Sequence, residues 1–333
     1  MSVQSILDRA FKPLAASVGD KRIPGGVLGI VDRNGARAVR AIGSAQLVPA
    51  PRPMTEDTWF DLASLTKVVF TTQRILLAAE AGAIDLDAPL TSVLPDFVQY
   101  NPDNWQRKVT FRQCLGHQTP FPGVFPIYTY GTDPDQLRAF VLQRDWPAGP
   151  TIYSDLNFIL MGFALERLER RSIREMDPGP GFAWSADPAH AAATEQDPWR
   201  GRVVCGEVHD ENCYALQGSG HAGLFGTAAS LLDFAQGLLR DTPADGLIRT
   251  PLSDKRTHGW ERPSIGWSGG DHCTAETIGH TGFTGTGLWL DFWRGRAWTL
   301  LTNRVHPTRH FDSGIFTLRP ETGDAVIAEF DAP

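Results

Sequence analysis

The sequence predicts an α+β fold in which one antiparallel sheet, built from both ends of the chain, is flanked by helices and interrupted by an inserted, mostly helical lobe. Strand-like segments occur near the N-terminus and again after residue 277, whereas 83–176 reads as helices joined by short loops containing Pro and Asp. With 333 residues and 42% hydrophobic content, the chain can bury a large core. We expect 1–82 and 215–333 to form the sheet domain and 83–214 the lobe, in one compact unit with the active site between them.

The N-terminal elements follow from periodicity and turn chemistry. Residues 3–18 predict a helix, because their apolar side chains recur at helical spacing. A strand is predicted at 27–31, and Asn34-Gly35 is a strong two-residue hairpin turn. The chain then returns antiparallel at 38–43, and the proline-rich stretch 49–53 is expected to be a loop.

Helical signals dominate the next part of the chain. An apolar helical pattern begins at about Ser64 and ends at Gly82, where glycine supplies a stop signal. Thr110, with Gln three residues later, predicts a capping box at a helix start. Further helices are predicted at 134–142 and 156–168.

The segment 177–212 contains Pro and Gly and has little periodicity, so we expect a long irregular excursion. Segments of that length inside compact domains are usually functional walls or lids. The remaining predicted elements are a helix at 228–239, strands at 277–283, 287–291 and 297–303, and a closing helix at 325–330.

Composition excludes several classes of partner. A net charge of −7 and a pI near 5.7 argue against nucleic acid and against an anionic membrane surface as partners. No apolar run is long enough to span a bilayer, and the N-terminus lacks the pattern of a signal peptide, so the default expectation is a cytoplasmic protein. The four cysteines are scattered and are expected to be reduced, without a disulfide framework or zinc site: Cys114, Cys205, Cys213 and Cys273.

The chemistry is carried first by Ser64 and Lys67, three residues apart on one face of the predicted helix. A buried amine has a lowered pKa and can take a proton from the neighbouring hydroxyl, which makes the serine a nucleophile. The alternative is a helix-capping serine followed by a surface lysine. Two observations favour the nucleophile: lysine is sparse in this chain, and the neighbours of Lys67 are apolar.

Three motifs occur in a characteristic order: Ser64-Leu-Thr-Lys67, Tyr153-Ser-Asp155 and His280-Thr-Gly282. With these motifs, the sequence resembles the superfamily of serine β-lactamases and penicillin-binding proteins, in particular its class C-like branch, over nearly the whole chain. The resemblance implies a β-lactamase/transpeptidase-like fold and an acyl-enzyme mechanism without a cofactor or metal.

The resemblance also implies a role for each matching residue. Ser64 would attack a carbonyl, with Lys67 as its base, held near neutral by burial or by a shared proton network. Tyr153 would face Ser64 and the leaving group, and which of the two groups takes the proton stays open. The backbone N–H groups of Ser64 and Phe283 would form the oxyanion hole. Asp155, His280, Thr281 and Gly282 would contact the substrate.

Two departures from the family pattern bear on function. Class C β-lactamases have Tyr-x-Asn, whereas this motif ends in Asp155, whose charge would raise the pKa of Lys67. Alternatively Asp155 points away and Asn157 makes the polar contact. His280 stands where β-lactam-directed members carry Lys, and a largely uncharged histidine argues against efficient β-lactam hydrolysis.

Other polar residues have weaker signals. His209, Asp210, Glu211 and His221 match no metal-ligand spacing, and we expect a cleft wall there rather than a metal site. Arg304 and His306 could flank the active site or cap a strand end.

The sequence therefore predicts a serine hydrolase for a small amide or ester, with peptidoglycan-derived or D-amino-acid-containing fragments as candidate substrates. A promiscuous carboxylesterase, then a β-lactamase, are the alternative enzymes. A non-catalytic binding protein of the same fold is the alternative from another class. The substrate and the oligomeric state are not determined by the sequence.

Overall fold

Six antiparallel strands drawn from both ends of the chain form the central sheet of the computed structural model, which describes residues 2–328. The strands are β1 (Gly25–Asp32), β2 (Arg37–Gln46), β3 (Arg52–Pro53), β9 (Thr277–Thr281), β10 (Thr286–Asp291) and β11 (Arg296–Thr302). The order across the sheet is β3-β2-β1-β11-β10-β9. This arrangement confirms the predicted fold class.

Helices are the longest regular elements between the two halves of the sheet, where the strands are short and many residues lie in turns and irregular segments. The helices are α1 (Val3–Gly19), α2 (Thr72–Glu80), α3 (Phe111–Leu115), α4 (Pro134–Gln143), α5 (Asp155–Glu169), α6 (Glu211–Ala215), α7 (Ala228–Asp241) and α8 (Ile315–Ile327). The accessory strands are β4 (Phe60–Asp61), β5 (Phe182–Ala183), β6 (Ala193–Asp197), β7 (Arg202–Cys205) and β8 (Phe225–Gly226). Within the described residues, no helix has the length and apolar character needed to cross a membrane.

Both faces of the sheet are covered. Helices α1 and α8 pack on one face, and α7 and the inserted helices pack on the other. Strands β1, β10 and β11 are therefore buried on both sides, which explains why their apolar residues run almost without interruption instead of alternating with polar ones. The α1 stripe predicted from periodicity is buried against the sheet: Val3, Ile6, Leu7, Ala10, Phe11 and Leu14.

Local signals placed several elements correctly. The hairpin turn at Asn34-Gly35 joins β1 to β2, and Gly35 has φ +99. The Thr110 hydroxyl accepts from the Gln113 N–H at 3.1 Å while the Gln113 side chain accepts from the Thr110 N–H at 3.0 Å, so the capping box is confirmed. Gly82 follows the end of α2 with φ +70, as its stop signal predicted.

Several element predictions need correction. The closing helix is not 325–330 but Ile315–Ile327; Pro320 and Gly323 lie inside it, and their presence favoured a loop. Residues 329 and 330 lie outside the described part of the chain. The predicted loop 49–53 contains the edge strand β3.

The excursion at 177–212, expected to be irregular, contains β5 and the hairpin formed by β6 and β7. Its strands are only two to five residues long, too short for a recognisable alternation. The helix expected to run from Ser64 begins with a π-helical turn at Lys67–Thr71, a local irregularity common at functional sites. The domain boundaries at 82 and 214 stay a prediction.

Helix α8 is tied to the end of the sheet by Arg319. Its side chain is 5% exposed and donates to the carbonyl oxygens of Gly282 at 2.7 Å and Thr286 at 2.8 Å. Burial lowers the pKa of this guanidinium to about 9. The turn between β9 and β10 therefore depends on a charge supplied by the last helix.

We predict that Arg319→Met lowers the free energy of unfolding by about 2–4 kcal/mol, because two buried carbonyl groups lose a charged donor. Urea denaturation measures the loss. The matched control is Arg171→Met on the exposed surface, which should leave stability nearly unchanged. Equal midpoints for the two variants would contradict the assigned role of Arg319.

Candidate active site

Ser64 follows a tight turn that leads from β4 into the helix containing Lys67. Ala63 has φ +48, in the left-handed region that residues with a Cβ rarely adopt. The N–H of Leu65 then donates to Leu62 O at 3.0 Å, and the N–H of Lys67 to Ser64 O at 3.0 Å. The half-buried Ser64 side chain thus stands at the start of a rigid helix and opens into a cavity.

Lys67 is fully buried, and its amino group donates two hydrogen bonds. Nζ donates to Ser64 Oγ at 2.9 Å and to the carbonyl oxygen of His221 at 3.0 Å. It also forms an ion pair with Asp155 Oδ1 at 2.8 Å, and a carboxylate at this distance favours the charged form of the amine. The geometry therefore describes a charged lysine bonded to the nucleophile.

The protonation of Lys67 differs from the sequence hypothesis. Burial lowers its pKa, but the charge of Asp155 and the phenol of Tyr153 more than offset this, so the pKa lies above its ordinary value. A near-neutral Lys67 in the resting site is therefore wrong. The increase in the Lys67 pKa that Asp155 was expected to cause, together with that from Tyr153, therefore outweighs the decrease caused by burial.

Tyr153 completes the surroundings of the nucleophile. Its hydroxyl donates to Ser64 Oγ at 3.1 Å, and its ring is stacked on His117 with centroids 4.3 Å apart. Burial raises the pKa of the phenol, and the neighbouring Lys67 charge only partly opposes this effect. Tyr153 is thus a neutral donor at neutral pH.

The structure distinguishes between the two positions considered for the polar contact to Lys67. Asp155, at the start of α5, makes the ion pair. Asn157 points elsewhere: its Oδ1 accepts from Thr119 Oγ1 at 2.7 Å, and its Nδ2 lies 3.2 Å from His117 Nδ1. Asn157 therefore supports the ring behind Tyr153 and does not contact Lys67 in this arrangement.

His280 lies on β9 near Tyr153, with ring centroids 6.0 Å apart. Burial, together with the nearby charges of Arg256 and Lys67, holds its pKa well below the usual histidine range. His280 is consequently neutral, in agreement with the reasoning from its residue type. It does not supply the permanent cation of a K-T-G motif.

The rest of the third motif brings β9 against the Ser64 turn. Thr281 ends β9 with a half-buried side chain. A Cβ at Gly282 would lie 2.6 Å from Leu62 O and 2.1 Å from Thr286 Oγ1, so only glycine allows this approach. The motif glycine thus sets the distance between the two strands that border the site.

Two residues at the site were missed by the sequence analysis. The Arg256 guanidinium lies 5.2 Å from the centre of the Tyr153 ring and forms an ion pair with Glu261 at 3.2 Å. His117 is stacked on the same ring. Arg256 lies in a loop without a motif, and His117 is remote in sequence from its partners, so neither carried a local signal.

Phe283 follows directly after the third motif, and its half-exposed ring borders the same cavity as Ser64. Arg304 donates from Nε to Phe283 O at 2.8 Å, and its guanidinium lies 4.7 Å from the ring centre. Of the two alternatives left open for Arg304, the structure favours a place beside the site, where it holds Phe283.

The structure places His221 next to the site and His306 away from it. The ring of His221 lies 2.7 Å from Ser219 Oγ and 2.9 Å from Asp210 Oδ1, which fixes the carbonyl that receives Lys67. His306 instead accepts from the N–H of Leu47 at 2.8 Å, and it is not brought to Ser64. It holds a strand end, the second of its two alternatives.

A cavity of about 260 Å³ opens beside Ser64, and the end of the 177–212 excursion forms one of its walls. Its lining residues are Ala63, Ser64, Val124, Phe125, Pro126, Tyr128, Asp155, His209, Asp210, Glu211, Asn212, Ala222, Phe283 and Arg309. A larger cavity of about 630 Å³ between α4 and α5 shares none of these residues. The expected cleft wall at His209–Glu211 is therefore where the sequence analysis proposed it.

A charged network backs this wall. Glu195 is buried between His209, whose Nε2 is 3.0 Å away, and Arg309, which also donates to Glu211 at 2.6 Å. Burial alone would raise the pKa of Glu195, but these donors lower it to about 2. Within residues 2–328, no group of three His, Cys, Asp or Glu side chains is arranged to hold a metal ion.

Relatives of known name match most of the chain. The N-acetylmuramyl-L-alanine amidase of Bacillus subtilis (strain 168) is 28% identical over 319 residues, which cover 79% of this chain and 71% of the relative. A putative D-alanyl-D-alanine carboxypeptidase of Escherichia coli (strain K12) is 25% identical over 336 residues, with coverage of 83% and 76%.

Solved structures share the fold. A class C β-lactamase superposes with a TM-score of 0.75 at 17% identity, covering 99% of this chain and 98% of the other. Simvastatin synthase from Aspergillus terreus gives a TM-score of 0.71 at 16% identity, with coverage of 98% and 99%. A model of the family described as beta-lactamase matches residues 7–318. The chain therefore belongs to the beta-lactamase family and is a serine hydrolase.

Proposed function

We propose that the protein cleaves a small amide or ester through an acyl-enzyme on Ser64, with peptidoglycan-derived peptide fragments as its substrates. The observation that carries this proposal is the position of Ser64 Oγ, 2.9 Å from Lys67 Nζ and 3.1 Å from the Tyr153 hydroxyl. A hydroxyl between two groups that can exchange protons is the arrangement that nucleophilic catalysis needs.

In this proposal Lys67, Tyr153 and Asp155 act as one coupled proton-transfer unit. Because the pKa values of Lys67 and Tyr153 are both raised, the reactive form is the fraction that has lost one proton. Ser64 gives its proton to this unit as Oγ bonds to the substrate carbonyl. The bond to the leaving group then breaks, and the unit returns the proton to the leaving nitrogen or oxygen through Tyr153.

Deacylation runs through the same groups. Water attacks the acyl ester and gives a proton to the unit, and Ser64 Oγ recovers it when the acid product leaves. We assign the backbone N–H groups of Ser64 and Phe283 to the negative oxygen that forms in both steps. Arg304 and the cavity wall hold the ring and carbonyl group of Phe283.

The charges around Tyr153 support a peptide substrate over a simple ester. Arg256 stacks on the ring, and its Nη1 is buried without a hydrogen-bond acceptor among the described residues. Tyr153 serves the leaving group in this mechanism, so a carboxylate on a leaving amino acid would meet this cation. The name of one relative, a putative D-alanyl-D-alanine carboxypeptidase, agrees with such a substrate, and the name of the amidase agrees with cleavage of an amide.

We expect Ser64→Ala to abolish covalent labelling and turnover. Intact-mass spectrometry after incubation with a fluorophosphonate, a penicillin and a p-nitrophenyl ester measures this, with the wild-type protein as reference. Adducts should appear only in the wild type. Labelling of the variant, or no labelling of either protein, would contradict the proposed nucleophile.

The pH dependence of kcat/KM tests the coupled proton-transfer unit of Lys67, Tyr153 and Asp155. Asp155 raises the pKa of Lys67, so Asp155→Asn should let Lys67 lose its proton at lower pH. The rising limb of log(kcat/KM) against pH should therefore move down by about 1–3 pH units. Asp245→Asn, on the exposed surface, is the control. An unchanged or upward-shifted limb would exclude the proposed coupling.

Arg256→Gln tests whether Arg256 binds the carboxylate of the leaving group. We expect kcat/KM to fall about 10- to 100-fold for a D-Ala-D-Ala-type peptide with a free carboxylate, because a charged hydrogen bond is lost. The same peptide with an amidated C-terminus should be affected much less, and Arg256→Lys should recover part of the loss. Equal losses for both peptides would refute carboxylate recognition by Arg256.

A further inference from the structure

Asp61 is a buried carboxylate that the proposed mechanism does not use. Its side chain is 2% exposed, and both oxygens are occupied by backbone N–H groups. Oδ1 accepts from Ala63 at 2.8 Å, and Oδ2 accepts from His209 at 2.6 Å. One side chain therefore joins the nucleophile turn to the cavity wall, 148 residues away in the chain.

On the nucleophile side, Asp61 stabilises an unfavourable backbone conformation. Ala63 is left-handed, with φ +48, which costs a residue with a Cβ on the order of 1–3 kcal/mol. The bond from the Ala63 N–H to Oδ1 offsets this cost. Because Ala63 precedes Ser64 directly, the carboxylate holds the backbone immediately before the Ser64 N–H.

On the opposite side, two contacts lead from Asp61 to Phe283. The Asp61 carbonyl oxygen accepts from Thr284 Oγ1 at 2.8 Å, and Thr284 is the residue after Phe283. The His209 ring, whose backbone is held by Asp61, lies nearly parallel to the Phe283 ring, with centroids 5.8 Å apart and planes inclined by 17°. Asp61 therefore holds the main chain next to Phe283 through Thr284, and it holds the Phe283 ring through His209.

We propose that Asp61 is a positioning residue that sets the separation of the two oxyanion-hole donors, the N–H groups of Ser64 and Phe283. The inference rests on the proposed function, because it assigns those donors. Donors in such a site must lie about 2.7–3.1 Å from the developing oxyanion, and loss of one costs about 10²–10³ in kcat. A carboxylate suits the position because it accepts at both oxygens.

The test compares Asp61→Asn with Asp197→Asn, another aspartate that is 2% exposed and accepts from a backbone N–H in the β6–β7 hairpin. Asparagine keeps one acceptor and turns an NH₂ donor toward the second N–H. We expect kcat of Asp61→Asn for a p-nitrophenyl ester to fall about 10²-fold with KM changed less than about threefold. Asp197→Asn should keep kcat.

A second readout separates positioning from loss of stability. An aryl boronic acid adds to serine as a tetrahedral adduct with an oxygen at the oxyanion site, so its affinity should fall by about the same factor as kcat. Product binding should not change. A lower melting temperature for Asp61→Asn with normal kcat and normal boronate affinity would overturn the inference.

If Asp61→Asn does not fold, Thr284→Val provides an alternative test of the same inference. It removes only the hydroxyl bond to the Asp61 carbonyl, and we expect kcat and boronate affinity to fall together, about 5- to 10-fold. Unchanged values would refute the inference. Failure of the proposed function looks different, because the wild-type protein would then show neither ester turnover nor a Ser64 adduct.

Discussion

The site depends on the need to satisfy one buried charge. Lys67 has no exposed surface, so its ammonium must find acceptors within the protein. These partners are Ser64, Asp155 at the start of α5, and the carbonyl group of His221. They come from three separate parts of the chain. The contacts that stabilise the buried lysine therefore also hold together the nucleophile, α5 and the segment that contains His221.

The opposite wall of the site depends on the architecture of the sheet. Strand β9 lies at the sheet edge, and its last residues approach the Ser64 turn so closely that Gly282 has no room for a side chain. Arg319, on α8, holds the turn that follows. Residues from the first quarter and from the end of the chain thus border the same nucleophile, and Gly282 allows them to approach this closely.

The two departures from the family motifs change the charge of the site in the same direction. Asp155 in place of Asn adds one negative charge, and neutral His280 in place of Lys removes one positive charge. Arg256, from a loop, places one positive charge 5.2 Å from the centre of the Tyr153 ring. Lys67 is therefore held in its charged form, and the second cation beside Tyr153 comes from Arg256 instead of from the motif position of His280.

The sequence by itself determined the features that depend on neighbouring residues. Strand and helix periodicity, the Thr110 capping box and the spacing of Ser64 and Lys67 on one helix face all follow from a few adjacent positions. Most of helix α8 was not predicted, because Pro320 and Gly323 break the local helical pattern. Packing against the sheet stabilises the helix nevertheless. Only the tertiary structure decided that Asp155 rather than Asn157 meets Lys67, and that Arg256 reaches Tyr153. Such contacts join side chains about a hundred residues apart. Their geometry is set by tertiary packing, so the sequence next to each residue contains no signal that predicts the contact.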